Sequence, residues 1–125
     1  MSDQTVLSFR TPAAVMERVD SLGAERGWPK STAALHCIER GLEVYKTDRP
    51  FADSMVSKTP RRGSRDGSIS RRVPCSIKDG AQAVADDRQW RLSDAGNFLL
   101  ILGLASYEAE TSRQVSKAKR AARAA

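Results

Sequence analysis

At 125 residues, with 29% charged and 6% aromatic side chains, the chain has the size of one domain or of two small units that share a core. No apolar run is long enough to cross a bilayer, and the N-terminus lacks the basic start and apolar stretch of a signal peptide. The two cysteines form no CxxC pair. We therefore expect reduced cysteines in a cytoplasmic protein that does not bind membranes.

The net charge of +6 is distributed unevenly along the chain. Residues 1–46 and 69–110 are close to neutral, whereas residues 47–68 carry five basic and three acidic side chains. Residues 111–125 carry five basic side chains and no acidic one. Flexible Lys and Arg favour anionic partners such as nucleic acid or an acidic lipid surface. A basic tail that only keeps the protein in solution is the alternative.

In chain order, residues 5–11 come first, and their polarity alternates with a period of two. Leu7 and Phe9 point to one side of an extended chain, and Val6, Ser8 and Arg10 point to the other. This alternation predicts a short, half-buried strand.

Two amphipathic helices are predicted after this strand. Thr11 is a candidate cap for the first helix, and Pro12 suits its first turn. Ser31 or Thr32 is the candidate cap of the second helix. The apolar faces of the two helices are formed by Val15, Val19, Leu22, Leu35, Ile38, Leu42 and Tyr45, and the sequence Gly27-Trp28-Pro29 separates the helices.

Residues 47–68 show little periodicity and contain two prolines and two glycines, which predicts a basic, flexible linker. A second strand follows, in which Arg71 occupies the inward position that Phe9 has in the first strand. The helix from about Ser93 to Ala109 is apolar almost all round, so we expect it to be the central core element. Residues 111–125 extend this helix or fray.

An internal repeat relates these elements, with an offset of 62 residues. Residues 7–12, Leu-Ser-Phe-Arg-Thr-Pro, return as residues 69–74, Ile-Ser-Arg-Arg-Val-Pro. The identical pairs are Ser8/Ser70, Arg10/Arg72, Pro12/Pro74, Arg26/Arg88, Trp28/Trp90, Ser31/Ser93, Ala33/Ala95, Gly41/Gly103, Leu42/Leu104 and Tyr45/Tyr107. We interpret the chain as a duplicated unit of roughly forty residues. The proposed segments are a first unit (1–46), a linker (47–68), a second unit (69–110) and a basic tail (111–125).

A strand and two helices, with an outward Arg on the strand and a Ser or Thr opening the second helix, resemble the ribbon-helix-helix family of DNA-binding proteins. Residues 7–12, Gly27 and Ser31 carry the resemblance in the first unit, and residues 69–74, Trp90 and Ser93 carry it in the second. In that family, two chains pair their strands into an antiparallel ribbon that enters the DNA major groove, and four helices form the shared core.

The resemblance implies a mostly α fold with a short two-stranded antiparallel β-ribbon. It also implies that the tandem units form an intramolecular pseudo-dimer, which is a monomer in solution. The outward strand residues would contact bases of double-stranded DNA, and these are Val6, Ser8, Arg10, Ser68, Ser70 and Arg72. The starts of the second helices would contact phosphates, and Arg71 of the second strand would add a further phosphate contact. The residues at the helix starts are Lys30, Ser31, Thr32, Arg91 and Ser93. Ordinary exposed strand residues and simple helix capping are the alternatives.

The function implied by this resemblance is DNA binding, either as an accessory factor in DNA transfer or processing, alongside other DNA-processing proteins, or as a transcriptional repressor. Because the two strands differ, the expected DNA site is asymmetric or an imperfect inverted repeat. The alternative is an antitoxin-like or protein-binding adaptor whose basic tail engages a protein partner. The sequence contains no motif typical of a catalytic or cofactor site. His36 is the only histidine, so the sequence does not predict a metal site either. We therefore do not expect an enzyme.

Overall fold

A computed structural model describes the backbone of residues 4–59 and 67–124, and the side chains of these residues except 30, 31 and 112–124. The elements, in chain order, are β1 (Gln4–Thr11), α1 (Ala13–Arg26), α2 (Lys30–Thr47), α3 (Arg49–Val56), β2 (Gly67–Pro74), α4 (Cys75–Arg88) and α5 (Leu92–Ala124). The fold is mostly helical, with one two-stranded antiparallel sheet, as predicted. None of the helices in this part of the chain is both long and apolar enough to cross a membrane.

β1 and β2 form an antiparallel ribbon in which Ser8 lies opposite Ser70. The predicted alternation is observed in β1, where the inward side chains of Leu7 and Phe9 are only 1% and 4% exposed. Val73 is fully buried on the inner face of β2. Because one face of the ribbon packs on the helices, a shift of one residue in register would expose this apolar set.

The predicted helix caps are wrong. The residue that precedes α1 is Pro12, which makes no side-chain cap bond, and Thr11 belongs to β1, where it pairs with Gly67. Proline also precedes α2, at Pro29, and the Thr32 hydroxyl donates to the Pro29 carbonyl at 3.0 Å. Proline holds an extended conformation in front of α1 and α2, so the Ser and Thr side chains are not required there.

The sequence did not predict α3, which lies within the segment expected to be a flexible linker. The Asp48 side chain caps α3 by accepting a hydrogen bond from the Phe51 backbone N–H at 3.3 Å. Ala52 and Met55 are buried on the rest of the molecule. At least this part of the connection is therefore ordered on the core, whereas residues 60–66 lie outside the described residues.

The core is built around the contact between α2 and α5. A run of apolar residues in α5, including Phe98, Leu99, Leu100, Leu102 and Leu104, is fully buried, which confirms the prediction for this helix. A Cβ added at Gly103 would lie 1.7 Å from the Cys37 carbonyl oxygen, and one at Gly41 would lie 2.2 Å from the Leu99 carbonyl oxygen. The two helix backbones are therefore in direct contact.

The local geometry repeats with the same offset as the sequence. Helices α1 and α4 each contain 14 residues, and they begin 62 residues apart. Each ends in a left-handed residue, Gly27 with a φ of 74° and Gln89 with a φ of 59°. The next residues, Trp28 and Trp90, donate their backbone N–H groups to the carbonyls five residues earlier, at 2.7 and 2.8 Å. The same β-α-α order is thus present twice.

Candidate nucleic-acid interface

The outward face of the ribbon contains every residue for which a base contact was predicted. All six side chains are exposed, and they are Val6, Ser8, Arg10, Ser68, Ser70 and Arg72. Their exposure follows from the period of two, because the alternate positions in both strands face the helices. The ribbon therefore presents these side chains together on one surface.

The antiparallel register arranges this surface about its centre. Ser8 and Ser70 lie opposite each other, and their hydroxyl oxygens are 2.8 Å apart. Arg10 lies two residues beyond Ser8, and Arg72 lies two residues beyond Ser70 in the opposite direction. At about 3.4 Å per residue, the two Arg positions are separated by about 14 Å along the ribbon. This distance corresponds to about four base-pair steps of a DNA duplex.

The electrostatics of the ribbon differ from those of the helices. Arg10 and Arg72 have no acidic partner among residues 4–59 and 67–124. In contrast, four helical arginines form ion pairs, which are Arg18–Glu108, Arg40–Glu110, Arg49–Asp87 and Arg88–Asp53. The two guanidinium groups on the ribbon are therefore available to an anion or to guanine, which accepts two hydrogen bonds from one guanidinium.

A further outward residue was missed because the strand was predicted to begin at residue 5. The observed strand begins at Gln4, whose position opposite Pro74 places it on the same face as Val6 and Ser8. Gln4 is exposed. A glutamine amide can form two hydrogen bonds with adenine in the major groove, so Gln4 extends the candidate site by one residue.

Two of the predicted phosphate contacts, Lys30 and Ser31, are the first two residues of α2. Their side chains lie outside the described residues. Their backbone N–H groups precede the first intrahelical bonds, because the Pro29 carbonyl already accepts from Thr32 at 3.0 Å and from Ala33 at 3.1 Å. The amide of Thr32 is thus occupied, and its hydroxyl is bonded to Pro29.

The start of α5 has the equivalent geometry. The Arg91 carbonyl accepts hydrogen bonds from the amides of Asp94 and Ala95, both at 3.1 Å. Arg91 is exposed and Ser93 is partly buried in the first turn. Asp94 adds a negative charge to the same turn, which weakens the attraction of this helix start for a phosphate.

Arg71 lies on the inner face of the ribbon, in the position equivalent to Phe9. Its Nε donates to the Arg72 carbonyl at 3.2 Å, and its Nη1 is enclosed without a hydrogen-bond partner in the described part of the chain. A cavity of about 240 Å³ lies beside it, also lined by Ala34. In the matching place on the other side of the ribbon, Phe9 packs closely over Gly96. A phosphate contact from Arg71 would require its side chain to turn outward.

The repeated arginines and tyrosines form contacts that the sequence did not predict. The Arg26 guanidinium lies 5.2 Å from the ring of Tyr107, and the Arg88 guanidinium lies 5.5 Å from the ring of Tyr45. Each unit therefore contributes an arginine to a tyrosine of the other unit. The identical residues at the 62-residue offset were the available signal for this contact.

Hydrogen bonds to charged side chains surround the hydroxyl of Tyr45. Around Tyr45, the hydroxyl donates to Asp87 and accepts from Arg88 Nε at 3.1 Å. The hydrogen bond from Tyr45 lowers the pKa of the Asp87 carboxyl, and the nearby Arg49 and Arg88 act in the same direction. Burial raises the pKa of Tyr45, and so does its bond to Asp87. These groups join the ends of α2, α3 and α4.

No group of three or more His, Cys, Asp and Glu side chains able to hold a metal ion occurs within the described residues. His36 stacks on Trp28 with ring centroids 4.2 Å apart. In comparisons with known proteins, no family model, curated protein or solved structure matches this chain. The candidate site therefore depends on its own geometry.

Proposed function

We propose that this protein binds double-stranded DNA by inserting the β1–β2 ribbon into the major groove. The observation that carries the proposal is the outward face of the ribbon, with two paired serines at its centre. Toward each end lies an arginine that has no acidic partner among the residues that the structure describes. A two-stranded ribbon fits the major groove, where each base pair displays a distinct pattern of donors and acceptors. Arg10 and Arg72 would each bind a guanine.

The same proposal includes a tandem ribbon-helix-helix architecture, in which the two units act as an intramolecular pseudo-dimer. Three observations support it. The strands pair antiparallel with the equivalent residues Ser8 and Ser70 opposite each other. The contacts of Gly41 and Gly103 exchange under the 62-residue offset. The aromatic contacts of Arg26 and Arg88 exchange in the same way.

The cellular role that we propose is that of a cytoplasmic accessory factor in DNA transfer or processing, or of a transcriptional repressor. The basic residues of the linker and of the tail would add phosphate contacts that carry no sequence information. The backbone of α5 continues as a helix to Ala124, so the tail is an extension of the core helix. Other DNA-processing proteins would be further partners.

The test begins with selection of bound duplexes from a random pool, followed by affinity measurements across a salt series. A protein that contacts about six phosphates loses about 10³-fold in affinity between 50 and 200 mM salt. The double substitution Arg10→Ala and Arg72→Ala should abolish the preference for the selected site over random duplex, since each guanine contact contributes about tenfold or more to discrimination.

The matched control is Lys46→Ala, which removes a positive charge from the exposed end of α2. It should retain the sequence preference of the wild-type protein. Absence of duplex binding by the wild-type chain at low salt would overturn the proposal and leave the protein-binding adaptor as the function to test. Retained preference in the double variant would remove the ribbon from the interface.

A further inference from the structure

The outward face of the ribbon is not symmetric, and the difference is concentrated at one pair of equivalent positions. Val6 in the first strand corresponds to Ser68 in the second. Val6 is 50% exposed and is the one large apolar side chain in the described part of the chain that is exposed in this way. The face that otherwise carries hydroxyl, amide and guanidinium groups therefore contains a single apolar contact point.

The register determines what accompanies each of these residues. Val6 lies opposite Arg72, whereas Ser68 lies opposite Arg10. Opposite residues in an antiparallel pair have Cβ atoms about 5 Å apart. One end of the ribbon thus presents an arginine beside an apolar group, and the other end presents an arginine beside a hydroxyl group.

These two ends have different chemistry in the major groove. Thymine alone among the four bases presents a methyl group there, and this methyl is contacted by apolar side chains, whereas a serine hydroxyl can bond to several bases. Successive base pairs are about 3.4 Å apart. An apolar side chain about 5 Å from the Arg72 position therefore reaches the base pair next to the guanine that Arg72 would bind.

We propose that Val6 contacts the C5-methyl group of a thymine beside the guanine bound by Arg72, and that this contact gives the DNA site a direction. The inference rests on the proposed function, because it assumes that the ribbon reads the major groove. It adds the identity of a second base and assigns it to one end of the site only. At the Arg10 end, Ser68 can bond to several bases, so this end does not require a thymine beside its guanine.

The test uses deoxyuridine, which has the hydrogen-bonding groups of thymine and lacks the methyl group. Each thymine of the selected duplex is replaced in turn, and the affinity of the wild-type protein is measured. Replacement of one thymine, next to one of the two guanines about four base pairs apart, should weaken binding about fourfold, the effect of one buried methyl group. The other thymines should show no comparable effect.

Three variants assign the effect to this residue. Val6→Ser should bind the thymine and deoxyuridine duplexes equally. Val6→Thr keeps one methyl group and should retain part of the difference. Ser68→Val should create a second sensitive thymine beside the other guanine. Because positions 6 and 68 are exposed, all three variants should retain the wild-type thermal unfolding midpoint, which is measured as a control.

The outcomes separate this inference from the proposed function. Failure of the wild-type protein to bind any duplex overturns both. Sequence-selective binding without a sensitive thymine overturns the inference alone, as does a selected site with no thymine beside either guanine. An unchanged deoxyuridine effect in Val6→Ser would also overturn it, because the methyl group would then be read by another residue.

Discussion

Gly41 and Gly103 allow the backbones of α2 and α5 to touch. A larger residue at either position would collide with the backbone of the facing helix. We expect Gly103→Ala to lower the free energy of unfolding by more than about 3 kcal/mol, since its Cβ would lie 1.7 Å from the Cys37 carbonyl oxygen. A backbone atom inside a helix cannot move away as a side chain can. Urea unfolding followed by circular dichroism measures the change.

The matched control is Gly80→Ala, in the interior of α4. Its Cβ would meet the ends of the Leu42 side chain at 3.0 and 3.1 Å, and those atoms can shift. Alanine also favours a helix over glycine by about 1 kcal/mol. We therefore expect Gly80→Ala to be nearly neutral. Equal losses for the two substitutions would contradict the close contact between α2 and α5.

Cys37 is fully buried, and burial raises the pKa of its thiol to about 12, with Glu108 adding to the shift. The folded protein therefore holds this thiol neutral, while in the unfolded chain the thiol ionises near its ordinary pKa of 9.0. Its contribution to stability is complete below pH 9 and is lost as the pH rises toward 12. Burial raises the pKa values of Tyr45 and Tyr107 in the same direction.

The pH dependence of unfolding tests this assignment. Between pH 9 and 12, the free energy of unfolding should fall less steeply in Cys37→Ala than in the wild-type protein. The tyrosines remain in both proteins, so the difference measures the thiol. A thiol reagent at pH 8 should modify Cys75 in the native state and Cys37 only in urea, as counted by mass spectrometry. Identical alkaline slopes would show that Cys37 is not protected.

At the scale of elements, the sequence pattern predicted which ribbon residues face inward but not which helix residues they pack against. Period-two alternation predicted β1 well, because Leu7 and Phe9 are buried and their neighbours are exposed. The same pattern identified Arg71 as an inward charge in β2. It could not show that the helix residue packed beside this position also differs. Arg71 and Ala34 line one cavity, whereas the equivalent Phe9 packs against Gly96. Such pairs lie on different elements, and only packing brings them together.

This pairing predicts an energetic coupling between positions 71 and 34. Phe9 lies 2.7 Å from the place where a Cβ at Gly96 would be, so a phenylalanine needs a glycine opposite it. We expect Arg71→Phe to stabilise the protein more in an Ala34→Gly background than in the wild-type background, by about 1–3 kcal/mol. The phenylalanine would then fill the cavity of about 240 Å³ beside Arg71.

A double-mutant cycle measured by urea unfolding provides the coupling energy. The variant Ala34→Gly alone serves as the control, and it should lose about 1 kcal/mol from the weaker helix propensity of glycine. Additive effects of the two substitutions would show that the two sides of the ribbon are not packed in equivalent ways. That result would weaken the pseudo-dimer interpretation without affecting the DNA-binding test.

The helices show why some local signals succeeded and others failed. The apolar stripes of α1, α2 and α5 were long enough to predict each helix from its periodicity. The eight-residue α3 was not, and the prolines around it favoured a linker. The sequence Asp48-Arg49-Pro50 nevertheless contains a capping side chain and a first-turn proline, which together mark a helix start. Composition over the whole segment concealed a signal of three residues.

At the scale of the whole molecule, the repeat predicted which residues are equivalent but did not predict which residues touch. The offset of 62 relates Arg26 to Arg88 and Tyr45 to Tyr107. The observed contacts cross between the units, since Arg26 approaches Tyr107 and Arg88 approaches Tyr45. A periodic sequence is compatible with units that fold separately or together. Crossed contacts arise only in the second case.

Crossed contacts of this kind lead to our last prediction, that the protein is a monomer of 13.7 kDa in solution. Each strand already pairs with the other, and the α2–α5 contact buries the apolar helix faces. Stable interfaces bury roughly 800 Å² per partner, with an apolar centre. In the described residues, Val6 is the one large apolar side chain that remains exposed, so such a centre is lacking.

Light scattering coupled to size exclusion should therefore give the monomer mass at both low and high micromolar concentrations. The variant Arg26→Ala plus Arg88→Ala supplies a sensitive comparison, because it removes the two equivalent crossed contacts, Arg26 with Tyr107 and Arg88 with Tyr45. It should unfold at lower urea concentration and remain monomeric. A stable dimer of the wild-type protein would mean that strands or helices pair between chains, and the ribbon of one molecule would then no longer be complete by itself.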